Sequence, residues 1–239
     1  MNKYSAKSMQ VITKPFLMPF ILVGLLFPLW GFANDITNPL VAAFKNILLI
    51  SHFESALVQF AFYGGYCLMA IPAAIFIKRF NYKQAILMGL ALYSIGCFLF
   101  IPAGKMMVFE AFLVAYFIMT CGLSFLETSA NPYILSMGDE STATQRLNFA
   151  QAFNPLGSLM GMFVAKEFIL AQLNPASETS RLELAQNDPD AFSKIQQNDL
   201  NVIVDPYLII LLNFQWTFAA SFLFPKSQDR KAAPLDRAE

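Results

Sequence analysis

Charge is what this sequence has least of. Only 13% of its 239 residues are charged, against about 25% in a typical soluble domain. Lys plus Arg and Asp plus Glu each number 16, so the net charge is zero. Disordered chains, coiled coils and basic nucleic-acid binders all need a charge-rich or strongly basic composition, which excludes all three and removes nucleic acid as a partner. Histidine occurs once, at His52 beside Glu54, and no nucleophile elbow accompanies it, so a Ser-His-Asp triad has no material. Cys67, Cys97 and Cys121 have no paired spacing, and neither a disulfide framework nor a zinc site is indicated. A phosphate-cradling glycine loop ending in Lys-Ser or Lys-Thr is also missing, so ATP has no site of its own. These absences point away from an enzyme and indicate no metal or cofactor.

Apolar bulk is what the chain has instead: 56% hydrophobic residues, with Phe alone at 25 positions. Residues 16–33 carry no charged or amide side chain, and 55–77, 84–104, 111–126, 147–165 and 206–225 carry no formal charge. A helix crossing the hydrocarbon needs about 20 mostly apolar residues. The pattern predicts an all-α membrane protein with six transmembrane helices, over 16–44, 55–77, 84–104, 111–138, 147–165 and 206–225. Asp35 and Glu127 are the only acidic or basic residues inside these limits.

Organisation follows from the spans. Residues 1–15 form a cytoplasmic arm, 16–225 the six-helix bundle with an external loop at 166–205, and 226–239 a polar cytoplasmic tail. That loop, with Asn174-Pro175 and Asp188-Pro189, has room for a short amphipathic helix at its centre. With the N-terminus in the cytoplasm, eleven Lys and Arg fall on the inner segments and five on the outer ones, which favours both termini inside. The basic start followed by an apolar run also resembles a signal peptide, but the run is long for such a core and five further spans follow it.

Polar residues within the spans carry the functional signal. In Trp30-Gly-Phe-Ala-Asn34-Asp35-Ile-Thr-Asn38-Pro39, Asn34 with Asn38 and Asp35 with Asn38 stand at i,i+4 and i,i+3, a polar stripe on one helix. A charge at bilayer depth costs at least about 2.5–3.5 kcal/mol and is functional by default. The bland alternative is a helix bent at Pro39 with Asp35 solvated at the interface. Glu127 repeats the pattern in the fourth span, in Leu126-Glu127-Thr-Ser-Ala-Asn131-Pro132, with Asn131 one turn on and Pro132 interrupting the backbone ladder. No Lys or Arg lies inside any span to neutralise either carboxylate. Reversible protonation, as a proton-coupled carrier needs, is one reading; a protonated carboxyl tying helices together is the other.

The fifth span adds Asn148, Gln151 and Asn154 at i,i+3 spacing. Amides beside Phe149, Phe153 and Trp30 have the character of a sugar site, where hydroxyls need donors and acceptors and the ring needs an aromatic platform. Amides in membrane helices also serve as interhelical glue. Gln59, Tyr63 and Tyr66 in the second span are further candidates for the same cavity, although Tyr63-Gly64-Gly65-Tyr66 also suits close helix packing. By 1.5 Å rise per residue Asp35, Glu127 and Gln151 are not level, and contact between Asp35 and Glu127 is not expected.

Together Trp30-Gly-Phe-Ala-Asn-Asp, Gln59-Phe-Ala-Phe-Tyr-Gly-Gly-Tyr66, Leu126-Glu127-Thr-Ser-Ala-Asn131-Pro132, Arg146-Leu-Asn-Phe-Ala-Gln151-Ala-Phe-Asn154 and Asp205-Pro206-Tyr207 resemble the fucose:proton symporter family of the major facilitator superfamily. The resemblance runs over about 16–211. It implies a bacterial inner-membrane carrier that moves a monosaccharide, fucose or a related hexose, inward with a proton. Asp35 and Glu127 are then the proton-coupling carboxylates, and Trp30, Asn34, Asn38, Gln59, Asn131, Gln151 and Asn154 the substrate-binding set.

Two departures qualify this. The family's first-helix aspartate aligns with Asn38, while Asp35 stands where the family has asparagine, a swap within one face. The loop Lys78-Arg79-Phe-Asn-Tyr-Lys83 is a poor match to the acidic, Gly-rich superfamily signature. Length is a third difference, since the family resembles two six-helix halves built from inverted three-helix repeats. Six spans make one N-terminal half, with a C-terminal six-helix half as the missing partner and a truncated or frameshifted reading frame as the simplest cause. The alternative is a transport-inactive six-helix remnant or a partner-dependent membrane subunit.

Overall fold

Apolar runs of this length, with polar residues and helix caps at their ends, should form long helices, and they do. The computed structural model describes residues 11, 12 and 14–221, without the side chains at 37, 38, 40, 41, 209, 210 and 213–221. The tail 226–239 and most of the arm 1–15 lie outside the described residues. Helices α1 (Leu17–Gly24) and α2 (Leu26–Leu48) form the first span, with Pro39 inside α2. The next three are α3 (His52–Arg79), α4 (Tyr82–Met106) and α5 (Phe109–Leu135). A Ser51/Glu54 capping box starts α3, satisfying backbone donors that would otherwise be orphaned. Four runs among the described residues are long and apolar enough to cross a membrane: Lys14–Ile36, His52–Arg79, Tyr82–Met106 and Phe109–Leu135.

The fifth and sixth spans differ from expectation. Where 147–165 reads as one helix, the structure has α6 (Ala143–Gln151) and α7 (Asn154–Val164), followed by a π-helical turn, Ala165–Ile169. The break has a covalent reason: Pro155 has no N–H to give to the carbonyl of Gln151 four residues earlier. The sixth helix starts earlier than 206. α9 runs Pro189–Ser221, with proline at its first position, where its missing N–H costs nothing. The stretch 166–205 is therefore not loop throughout. It holds α8 (Glu178–Asn187) and the polar first half of α9, and hydropathy reads only the part of a helix that can cross lipid.

Core aromatics from four helices meet at the centre. The rings of Phe44, Phe100, Phe112, Tyr116 and Tyr207 interlock; Phe100 stacks on Tyr207 at 3.9 Å between centroids, and the buried hydroxyls of Tyr116 and Tyr207 lie 2.7 Å apart. α8 and the start of α9 close the end of the bundle where α2 and α4 finish. Gln196 Nε2 donates to the carbonyl of Ile47 at 2.9 Å and Gln197 Nε2 to that of Gly104 at 3.3 Å, while Lys45 pairs with Glu178 at 2.8 Å. A buried Arg181–Asp199 ion pair holds α8 to α9, and Asp199 Oδ1 also accepts from the Asn174 N–H at 2.9 Å.

One close approach positions the site. Gly157 on α7 lies against the carbonyl of Pro28 and Gly31 on α2 against that of Asn154, so tightly that a Cβ at either would collide with backbone. Gly161 continues the seam, with a Cβ there meeting the Phe32 carbonyl at 2.6 Å. Small residues four apart let two backbones touch, and this seam seats α7 beside the Trp30 face of α2.

Candidate functional site

Phe27, Trp30 and Asn34 stand at i, i+3 and i+7 on α2, a spacing that puts them on one helix face. They line a cavity of about 400 Å³ with Tyr66 of α3, Glu127 and Asn131 of α5, and Gln151, Asn154 and Pro155 at the break in the fifth span. Seven of the residues expected from sequence as site residues therefore meet: Trp30, Asn34, Tyr66, Glu127, Asn131, Gln151 and Asn154.

Hydrogen bonds fix most of them. Trp30 Nε1 donates to Tyr66 Oη at 3.1 Å, and Asn154 Nδ2 to the Phe27 carbonyl at 3.2 Å. Gln151 Nε2 donates to Asn131 Oδ1 at 3.2 Å, and Asn131 Nδ2 to the backbone carbonyl of Glu127, also at 3.2 Å. The Glu127 side chain is exposed, and no basic residue pairs with it among the described residues. Asn34 Oδ1 is buried and has no hydrogen-bond partner among the described residues.

This set has a definite chemistry. Amide donors and acceptors, an indole in the lining and one carboxylate suit a small, neutral, hydroxyl-rich molecule, with the carboxylate able to accept a proton or a hydroxyl hydrogen bond. Among the described residues no group of three or more His, Cys, Asp and Glu is arranged to hold a metal ion.

Other expected residues lie elsewhere. Asp35 is half-buried on α2 but does not line the cavity, because each helical residue turns about 100° from its neighbour and Asn34 takes the inward direction. Asn38 falls where side chains are not described. Gln59 is half-buried two turns before Tyr66 and does not reach the cavity, while Tyr63 is 66% exposed. Asn148, exposed on α6, is absent from the lining, and Phe149 and Phe153 line a neighbouring apolar groove with Phe20 rather than this cavity. Phe27 and Pro155 were not anticipated. Phe27 was findable as the apolar residue one turn before Trp30, and Pro155 as the residue that interrupts the helix between the two amides.

A family model described as Major Facilitator Superfamily matches residues 18–175. The chain belongs to the Major Facilitator Superfamily. Within that superfamily it is similar to an L-fucose-proton symporter of Haemophilus influenzae, 54% identical over 203 residues, covering 84% of this chain and 47% of the relative. It also resembles the L-fucose-proton symporter of Escherichia coli, 36% identical over 199 residues, and a glucose/galactose transporter of Brucella abortus, 38% identical over 153 residues. A crystal structure of FucP, a superfamily transporter in the outward conformation, superposes with a TM-score of 0.79 at 34% identity, covering 92% of this chain and 53% of that one. The chain spans about half the length of the curated relatives it matches. Recognition of the family from motifs agrees with these findings, as does the all-α half-superfamily fold. The superfamily relatives are named as symporters and transporters, not enzymes, and the chain is a helical membrane protein.

Proposed function

We propose that this chain forms the N-terminal six-helix half of a proton-coupled monosaccharide symporter in a bacterial inner membrane, with both termini cytoplasmic. The observation that carries the reading is the cavity itself: Trp30, Asn34, Asn131, Gln151 and Asn154 lining one space with the carboxylate of Glu127, which has no basic partner among the described residues. Similarity to proteins named for fucose, glucose and galactose supports a six-carbon sugar as substrate. In this reading Gln151, Asn154 and Asn131 take sugar hydroxyls, Trp30 faces the ring, and Glu127 couples sugar binding to a proton. Asp35, one residue from Asn34, is the second proton-coupling candidate, and Asn38 completes the substrate set, with Gln59 left outside the cavity lining.

Uptake of labelled L-fucose and D-galactose into vesicles, with and without an inward proton gradient, tests this. Gradient-dependent uptake by the chain together with a matching C-terminal half is the expected result. No uptake by that combination overturns the proposal.

A second reading, a partner-dependent subunit inert by itself, draws on the exposure of Glu127 and Gln151. An open polar cavity is costly against lipid, so another protein surface has to cover it. Uptake by the chain alone would exclude this second reading.

A further inference from the structure

Arg146 is the largest fully buried side chain among the described residues. It stands on the first turn of α6, and its guanidinium gathers acceptors from four stretches of chain. Nε donates to the Ile134 carbonyl at 3.3 Å and Nη2 to the Leu135 carbonyl at 2.8 Å, both in the last turn of α5. Nη1 faces Thr142 Oγ1 at 2.7 Å, the Asp139 carbonyl at 3.0 Å and the Val11 carbonyl at 3.2 Å. The connecting turn is shaped around it. Gly138 has φ +130, which L side chains rarely adopt, and a Cβ there would meet Nη1 at 3.1 Å.

Bundle stability alone does not account for such a residue. No carboxylate forms an ion pair with Arg146 among the described residues. Two of its five acceptors are carbonyls at the end of α5, where a helix concentrates negative partial charge. Dehydrating a guanidinium costs several kcal/mol even when the pairing is good, and an apolar side chain of similar volume commonly serves stability as well or better. What a guanidinium offers beyond packing is a planar fork of donors that holds its acceptors at set distances and angles.

Arg146 itself stands on α6 and two of those acceptors end α5, the two helices that carry the amide pair of the cavity. Asn131 lies one turn before Ile134 and Leu135 on α5, and Gln151 lies on α6 five residues after Arg146, with their side chains 3.2 Å apart. We infer that Arg146 is a positioning residue: it sets the separation of α5 and α6 at which Gln151 meets Asn131, and so the width of the polar half of the cavity. Its consequence for ligands rests on the reading of the cavity as a sugar site, whereas the helix separation does not.

The test uses the full chain in nanodiscs, with Cys67, Cys97 and Cys121 replaced by Ala. One cysteine pair, N131C with Q151C, reports the α5–α6 separation through a short bifunctional thiol cross-linker. A second pair, K45C with E178C, reports the opposite end of the bundle. Arg146→Met should lower cross-linking of the first pair by about threefold or more and leave the second unchanged, because one misplaced support loosens a site without unfolding its scaffold. Arg146→Lys, which keeps the charge but not the fork, should fall between. Unchanged cross-linking at 131 and 151 overturns the inference, and so does a parallel fall at both pairs, which marks a merely structural role. If Arg146→Met does not fold, Thr142→Val removes one acceptor and carries the same comparison with the same outcomes.

L-fucose binding to the chain with a matching C-terminal half is measured alongside, and Arg146→Met should weaken it by about tenfold, the effect of a displaced binding group. If the unsubstituted assembly binds no fucose, the functional proposal fails while the cross-linking still decides the role of Arg146.

Discussion

Gln151 and Asn131 join their side chains at 3.2 Å across the gap between the fifth span and α5, so one hydrogen bond ties the two walls of the cavity. The pair unites an amide expected to bind substrate with one expected to flank Glu127. Each keeps polar atoms free for a ligand, since a primary amide has two donor hydrogens and an acceptor oxygen.

Removing that amide gives the first prediction. Gln151→Ala deletes a hydrogen-bonding group worth about 0.5–1.5 kcal/mol, so affinity for L-fucose or D-galactose should fall by about 2- to 10-fold. Equilibrium binding to the chain assembled with a matching C-terminal half measures it, and the thermal midpoint should move little because Gln151 is exposed.

The glycine seam gives the second. A Cβ at Gly157 would collide with the Pro28 carbonyl, and backbone cannot swing aside as a flexible side chain can. Gly157→Ala should destabilise the bundle by about 1–3 kcal/mol, the range for overpacking, read as a lower thermal midpoint in detergent. Ser158 borders the same seam at Gly31 through its side chain, so Ser158→Ala should have a much smaller effect.

Arg181 and Asp199 give the third. Both are buried, and Asp199 also accepts the Asn174 N–H. Asp199→Leu strands a buried guanidinium, at a cost of about 3–5 kcal/mol. The double variant Arg181→Leu with Asp199→Leu should be more stable than either single change, a coupling that a double-mutant cycle on chemical denaturation measures.

Glu178 gives the fourth, a dependence on pH. The hydrogen bond and charge of Lys45 hold its carboxyl below the usual glutamate value, and His52 adds a smaller pull in the same direction. A folded-state pKa lowered in this way contributes stability that is present above the unfolded pKa, about 4.3, and is lost as pH falls through the folded value. The thermal midpoints of the parent chain and Glu178→Gln should therefore differ at pH 7 and converge as pH falls below about 4. Equal midpoints at pH 7 would show that this exposed pair contributes nothing.

Much of this molecule was legible in its sequence because lipid imposes a simple rule on composition. Spans two, three and four stand within a few residues of where charge-free runs put them. Spans five and six were less legible for separate reasons. Pro155 interrupts the fifth within a charge-free run, where hydropathy does not register it, and the tight Gly157 seam seats it by tertiary contact, while the first half of α9 is a polar helix that no hydropathy run reveals. The site followed the same division. Glu127, Asn131, Gln151 and Asn154 stood out as polar groups in apolar runs, whereas choosing Asn34 over Asp35 required the rotation of α2, which the contact of Gly31 and Pro28 with α7 accompanies.

The interruption between α6 and α7 has a mechanical consequence. Gln151 ends one rod and Asn154 begins the next, with Phe153 N–H turned to the Ala150 carbonyl in a tighter turn between them. The lower rod is clamped to α5 by a guanidinium and the upper one is wedged into α2 by glycines, so the two anchors belong to different helices. A displacement of α2 relative to α5 would therefore fall on the joint between those amides rather than on either rod.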